Sequence, residues 1–220
     1  MIPATMIDGY RREEVEMLEF LAKGGVLVTP ILFCSVVALA IFAERFIRFS
    51  VLGKRGRWVA DRVTDHIAEG DREAALQTAR ESRSPMGRVL MQGIEVMYQD
   101  RETLETVLVH AVDEEVRELS RYLQTLATVA NIAPLLGLLG TVIGMIKAFM
   151  IIQEMGGRVN AAVLAGGIWE AMLTTALGLA VALPAMVAHS YLSARVDRYE
   201  ARLQTGTVGL IKRLAALREN

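Results

Sequence analysis

The 220-residue sequence predicts an all-α integral membrane protein with three transmembrane helices and long cytoplasmic helical extensions. Apolar residues make up 53% of the chain and are gathered into long runs. Three runs stand out: Gly24 to Ala43 has no charge over 20 positions, Tyr122 to Ile146 none over 25, and Val159 to Ala194 only Glu170 over 36. A helix needs about 20 apolar residues to cross a bilayer core, so each run is long enough. The charged stretches between and after them keep helical spacing, which makes the remainder helical as well.

Residues 1–23 are polar, with Val15, Leu18, Phe20 and Leu21 interleaved with charged residues, and read as an exposed helical segment before the first span, with a helix lying along the membrane surface as the alternative. The first span is 24–44, with Pro30 in its opening turns, where a missing backbone donor costs least. Its length, the acidic segment before it and Glu44-Arg45 after it argue against a cleavable signal. Residues 45–121 form a helical block, in which Asp71 can cap REAALQTARE and Ser84-Pro85 can start another helix. From Glu102 to Pro134 there is neither proline nor glycine, so the second span, 122–152, is predicted to be the end of one long helix. A loop at 153–164 leads to the third span, 165–192. Residues 193–220 continue as a helix whose stripe of Val196, Tyr199, Leu203, Leu210, Leu214 and Leu217 requires a partner surface.

Arg45, Arg48, Lys54, Arg55 and Arg57 follow the first span, Arg117 and Arg121 precede the second, and Arg195, Arg198 and Arg202 follow the third. The positive-inside rule therefore puts 45–121 and the C-terminus in the cytoplasm, and the N-terminus and the loop 153–164 outside. A net charge of −1 gives no reason to expect a nucleic-acid partner. The single cysteine, Cys34, excludes an intramolecular disulfide. His66, His110 and His189 lack metal-ligand spacing, no nucleophile has a matching base, and no phosphate-binding G-x-x-x-x-G-K-[ST] loop is present. The expectation is a protein that is not an enzyme and uses no cofactor.

The polar residues inside the spans carry the functional reading. Glu170 has apolar neighbours on both sides, and a carboxylate at such depth costs a few kcal/mol unless it faces a partner, water or a pore. A third span beginning at Ala171 would instead leave it at the interface. In the second span Ala130, Ala133, Gly137, Thr141, Gly144 and Ala148 fall in a narrow arc with Gly140 beside it, and Thr174, Gly178 and Ala182 repeat the device in the third. Small residues at such steps let helix backbones approach closely, so Gly137, Gly140, Gly144 and Gly178 are expected to be packing or pore-facing positions that gather copies around a lumen. Thr141, Thr174 and Thr175 could line an ion path, or could satisfy their hydroxyls on their own helices. Lys147 and Glu154 are expected to reach the headgroups.

The stretches APLLGLLGTVIGM and EAMLTTALGLAVALPA resemble the second- and third-span signatures of the ExbB/TolQ/MotA proton-channel family. GGVLVTPILFCSVVALAIFAERFIRF resembles the first span of its three-span ExbB and TolQ members. The resemblance implies that Thr141, Glu170 and Thr175 line the passage of the coupling ion, with Thr174 beside them. That ion is the proton, although adjacent hydroxyls on Thr174 and Thr175 keep sodium open as oxygen ligands. It also implies a homo-oligomer, a pentamer, in the bacterial inner membrane, enclosing two copies of an ExbD- or TolR-like single-span subunit that carries a transmembrane aspartate. A TonB- or TolA-like protein and membrane lipid complete the implied partners. The implied work is energising outer-membrane import, or a TolQ-like maintenance of the envelope. A non-conducting scaffold is the competing reading, and it predicts that Glu170 can be changed freely.

Overall fold

A computed structural model describes residues 25–52, 56–155 and 161–219. The segment 1–23, the charges Lys54 and Arg55 and the centre of the loop 153–164 lie outside the described residues. Seven helices and no strand occur among the described residues: α1 (Val28–Leu52), α2 (Gly56–Ala68), α3 (Arg72–Glu81), α4 (Pro85–Glu95), α5 (Arg101–Ser120), α6 (Leu123–Glu154) and α7 (Ala161–Glu219). Three helical stretches, which include α1, α6 and α7, are long and apolar enough to cross a membrane. The all-α class with three spans is therefore as expected.

The chain divides into two compact units. One comprises residues up to Ile41 together with Thr125–Ala188, and holds the apolar parts of α1, α6 and α7. Within it many small residues are inside, alongside a few large ones such as Ile31 and Leu126, and many large ones are outside. Ala130, Ala133, Ala148, Ala171, Ala182 and Ala185 are buried, while Phe33, Val36, Leu138, Phe149, Met172 and Val187 are exposed. Only 17%, 22% and 33% of the most apolar stretches of the three spans is buried within the chain. Such a surface suits lipid or neighbouring helices, because hydrocarbon imposes no penalty on outward-facing leucine.

The other unit, Phe42–Gln124 with His189–Asn220, is built in the opposite sense. Val59, Val63, Ile67, Leu90, Ile94, Leu104, Leu108, Leu203 and Leu210 form a buried core of large side chains. The stripe on the end of α7 finds its partner surface here. Val196, Tyr199, Leu203, Leu210 and Leu214 are buried, Leu210 packs over Gly93 of α4, and Leu217 alone of the stripe stays exposed. Asp71 accepts from the Ala74 amide at 2.9 Å, and Ser84 accepts from the Gly87 amide at 3.1 Å ahead of Pro85. Both caps are as the sequence predicts.

The expected long helix from Glu102 into the second span is not continuous. It ends at Ser120 and restarts at Leu123, with Tyr122 in the left-handed region at φ +67°. The cause is distant in sequence. Arg45, 1% exposed, donates to the carbonyls of Glu118 at 3.1 Å and Leu119 at 3.4 Å, and its guanidinium lies 5.3 Å from the Tyr122 ring. A cation on the terminal carbonyls of α5 supplies the donors a continuing helix would have supplied. Arg48 reinforces the end by pairing with Glu118 at 2.9 Å.

Candidate functional site

The site lies in the first unit, where α6 and the apolar part of α7 run against each other. Gly178 meets Gly137 and the Ala133 carbonyl, Gly137 meets Thr174 and Thr175, Gly144 meets Ala171, and Gly167 meets Ala148. A Cβ on Gly178 would sit 2.6 Å from the Ala133 oxygen, so only glycine permits this backbone approach. Thr174 fills the space above Gly140, where a Cβ would collide with its hydroxyl. The small faces therefore pack against each other within one chain. Gly137, Gly140, Gly144 and Gly178 are all buried in this intrachain contact, the packing positions that their spacing predicts.

The three threonines differ in what their hydroxyls meet. Thr175 donates across the interface to the Gly137 carbonyl at 2.9 Å. Thr174, 2% exposed, donates to the Ala171 carbonyl of its own helix at 2.8 Å. Thr141, half-buried beside Gly140, donates to the Leu138 carbonyl at 2.6 Å. The adjacent hydroxyls of Thr174 and Thr175 are thus committed to two different carbonyls on two helices. Each hydroxyl oxygen that donates its proton keeps lone pairs with which to accept.

Glu170 is not isolated. Its Oε1 accepts from Lys147 Nζ at 3.2 Å, with the glutamate side chain 27% and the lysine 52% exposed. On another side the carboxylate lies against Gly25, in the stretch entering α1, where an added Cβ would overlap Oε1. Gly25 also has φ +73°, a conformation that favours glycine. The carboxylate thus sits where the start of α1, the later turns of α6 and the early turns of α7 converge. It lies toward one end of the spans, about 7–8 Å along α7 from Thr175 by the helical rise.

Lys147 is the participant that sequence reasoning missed, since it was expected to reach the headgroups. A signal was present in the small-residue pattern. Once Gly144 faces Ala171, three residues further along α6 and one residue back along α7 bring Lys147 to Glu170. Glu170 and Thr175, although about 140° apart around α7, both reach α6, because the long lysine chain extends to the first and the close glycine contact admits the second. Among the described residues no group of three or more His, Cys, Asp or Glu side chains could hold a metal ion.

Residues 81–205 match the model of the MotA/TolQ/ExbB proton channel family. The chain belongs to that family. A biopolymer transport protein ExbB of Salmonella typhimurium is 30% identical over 185 residues, covering 79% of this chain and 74% of that protein. An ExbB homolog of Methanothermobacter thermautotrophicus is 28% identical over 185 residues, covering 82% of this chain. The alignment spans only 64% of that relative's length. The Tol-Pal system protein TolQ of Haemophilus influenzae is 40% identical over 90 residues, or 41% of this chain and 39% of that protein. Family membership and the three apolar helices together make this a multi-pass membrane protein. The MotA/TolQ/ExbB match covers α4, α5, α6 and the part of α7 that holds Glu170.

Proposed function

We propose that this chain is the ion-conducting subunit of an energy-transducing complex of the ExbB-ExbD/TolQ-TolR type, in which cation flow drives work on the cell envelope. The observation that carries the reading is Glu170: a carboxylate on a membrane helix, engaged by a cation, at one end of an interface whose deeper polar groups are Thr175 and Thr141. Ionisable groups in spans are costly and mark ion paths and relays. Thr141, Glu170 and Thr175 line the path. Thr174 contributes by holding the two helices at Gly140, and the conducted cation is the proton.

The outward faces of the spans supply the surface for assembly. With the small faces used inside the chain, the exposed large residues of α6 and α7, Leu138 and Val187 among them, meet neighbouring copies in a pentamer. Two copies of an ExbD- or TolR-like single-span subunit occupy its lumen and bring the titrating aspartate. A TonB- or TolA-like protein delivers the work. The complex sits in the inner membrane, and the positive-inside rule supports a cytoplasmic side that carries Arg45, Arg48, Arg117, Arg121 and Arg195. The breadth of the ExbB alignments supports the import role, and the 40% identity over 90 residues supports TolQ-like envelope maintenance as the second reading.

Crosslinking tests the assembly. In a background without Cys34, cysteine at Thr141 and beside the partner's transmembrane aspartate is expected to form an oxidative crosslink, and the complex to have the mass of an oligomer with a second subunit. A monomer, or an oligomer conducting fully with no partner, would contradict the reading. Sodium dependence tests the ion: activity that vanishes in sodium-free medium and returns with sodium would replace the proton.

A further inference from the structure

The proposed path leaves unexplained why its carboxylate is already occupied. Lys147 Nζ lies 3.2 Å from Glu170 Oε1, and the lysine is the more exposed partner. Lysine carries a compact ammonium on a flexible four-carbon stem, so it can hold the carboxylate in one rotamer and swing outward in another. Arginine or a backbone amide would be a more rigid partner. The Gly25 backbone lies against one side of the carboxylate, so close that an added Cβ would overlap Oε1. The pair is therefore asymmetric: a less exposed carboxylate packed beside Gly25, and a more exposed cation on a flexible stem.

We propose that Lys147 is a tethered competitor for the conducted cation, closing the end of the path at Glu170 until that cation takes its place. The inference rests on the ion-path reading above. While the ammonium is seated, the carboxylate charge is balanced and an incoming cation gains little by binding. When the stem swings away, Glu170 captures the cation, with the hydroxyls of Thr175 and Thr141 further along the same interface. No covalent step is involved. Lys147 is a positioning residue that acts through Glu170.

The test uses the complex isolated from its own membrane and reconstituted in vesicles, with passive cation flux and energised activity read separately. Lys147→Met keeps the stem and removes the charge. It is expected to raise passive flux about fivefold, the ceiling for a partly exposed ion pair, and to lower the work obtained per ion. Lys147→Arg is expected to restore low leak. Glu170→Gln is expected to abolish flux whether it is introduced alone or together with Lys147→Met. If Lys147→Met behaves as the unmodified complex while Glu170→Gln is inactive, the competitor role falls and the ion path stands. If Glu170→Gln conducts fully, the ion path itself falls. Should Lys147→Met fail to assemble, the pair is a structural staple and the proposal is overturned. Zero-length carbodiimide coupling in unmodified membranes gives an independent check, with an amide between Lys147 and Glu170 expected and its absence counting against the pair.

Discussion

The two units of this chain solve opposite packing problems. In the first, the helix contacts are made largely by alanine and glycine, and most of the leucine, valine and phenylalanine is outside. In the second, leucine, isoleucine and valine are inside, and charged residues close the helix ends. The second unit has what a water-soluble helical domain needs, with an apolar core and satisfied caps. The first is held by backbone proximity and depends on its surroundings to accept its large side chains. The difference also separates how substitutions should act. In the second unit, loss of volume is the danger; in the first, gain of volume is.

The largest expected effect tests the core side of that contrast. Leu108→Ala removes a fully buried side chain that packs on Gly93 and should cost about 3 kcal/mol or more, measured by denaturant unfolding of the purified protein. A loss below about 1 kcal/mol would mean that this core is looser than described. Next, Gly178→Val should push α6 and α7 apart at the Ala133 carbonyl and cost about 2 kcal/mol, with lowered melting temperature in detergent as the readout. An unchanged melting temperature would remove the close approach from the account. Asp71→Ala deletes one cap and should cost about 1 kcal/mol, confined to the second unit. Smallest is Leu138→Ala, on an exposed face of α6, expected to change the isolated chain by less than about 0.5 kcal/mol. A larger effect on oligomer mass than on chain stability would locate a subunit contact there.

Much of this arrangement was legible in the sequence, for physical reasons that also explain the gaps. Hydropathy runs predict the spans because the membrane acts on each segment separately. The caps at Asp71 and Ser84 are local and were predictable from a few residues. The small-residue stripes announce close packing but do not say whether the partner is the same chain, and the intrachain answer required the fold. The break before Leu123 has no local signal. It depends on Arg45, which lies far back in sequence and reaches the carbonyls of Glu118 and Leu119. Glu170 was legible as the residue requiring an explanation, whereas its partner Lys147 became legible only with the register of α6 against α7. Gly25, at the edge of the described residues, was silent for the same reason.

The central claim is that the Glu170 carboxylate carries the cation, so the decisive measurement is flux through the reconstituted complex bearing Glu170→Gln. The substitution preserves volume and leaves the glycine contacts of α6 and α7 in place, so the complex should be isolated intact, with unchanged mass. Driven cation flux and the work coupled to it are both expected to be lost. An intact complex with unmodified flux would contradict it.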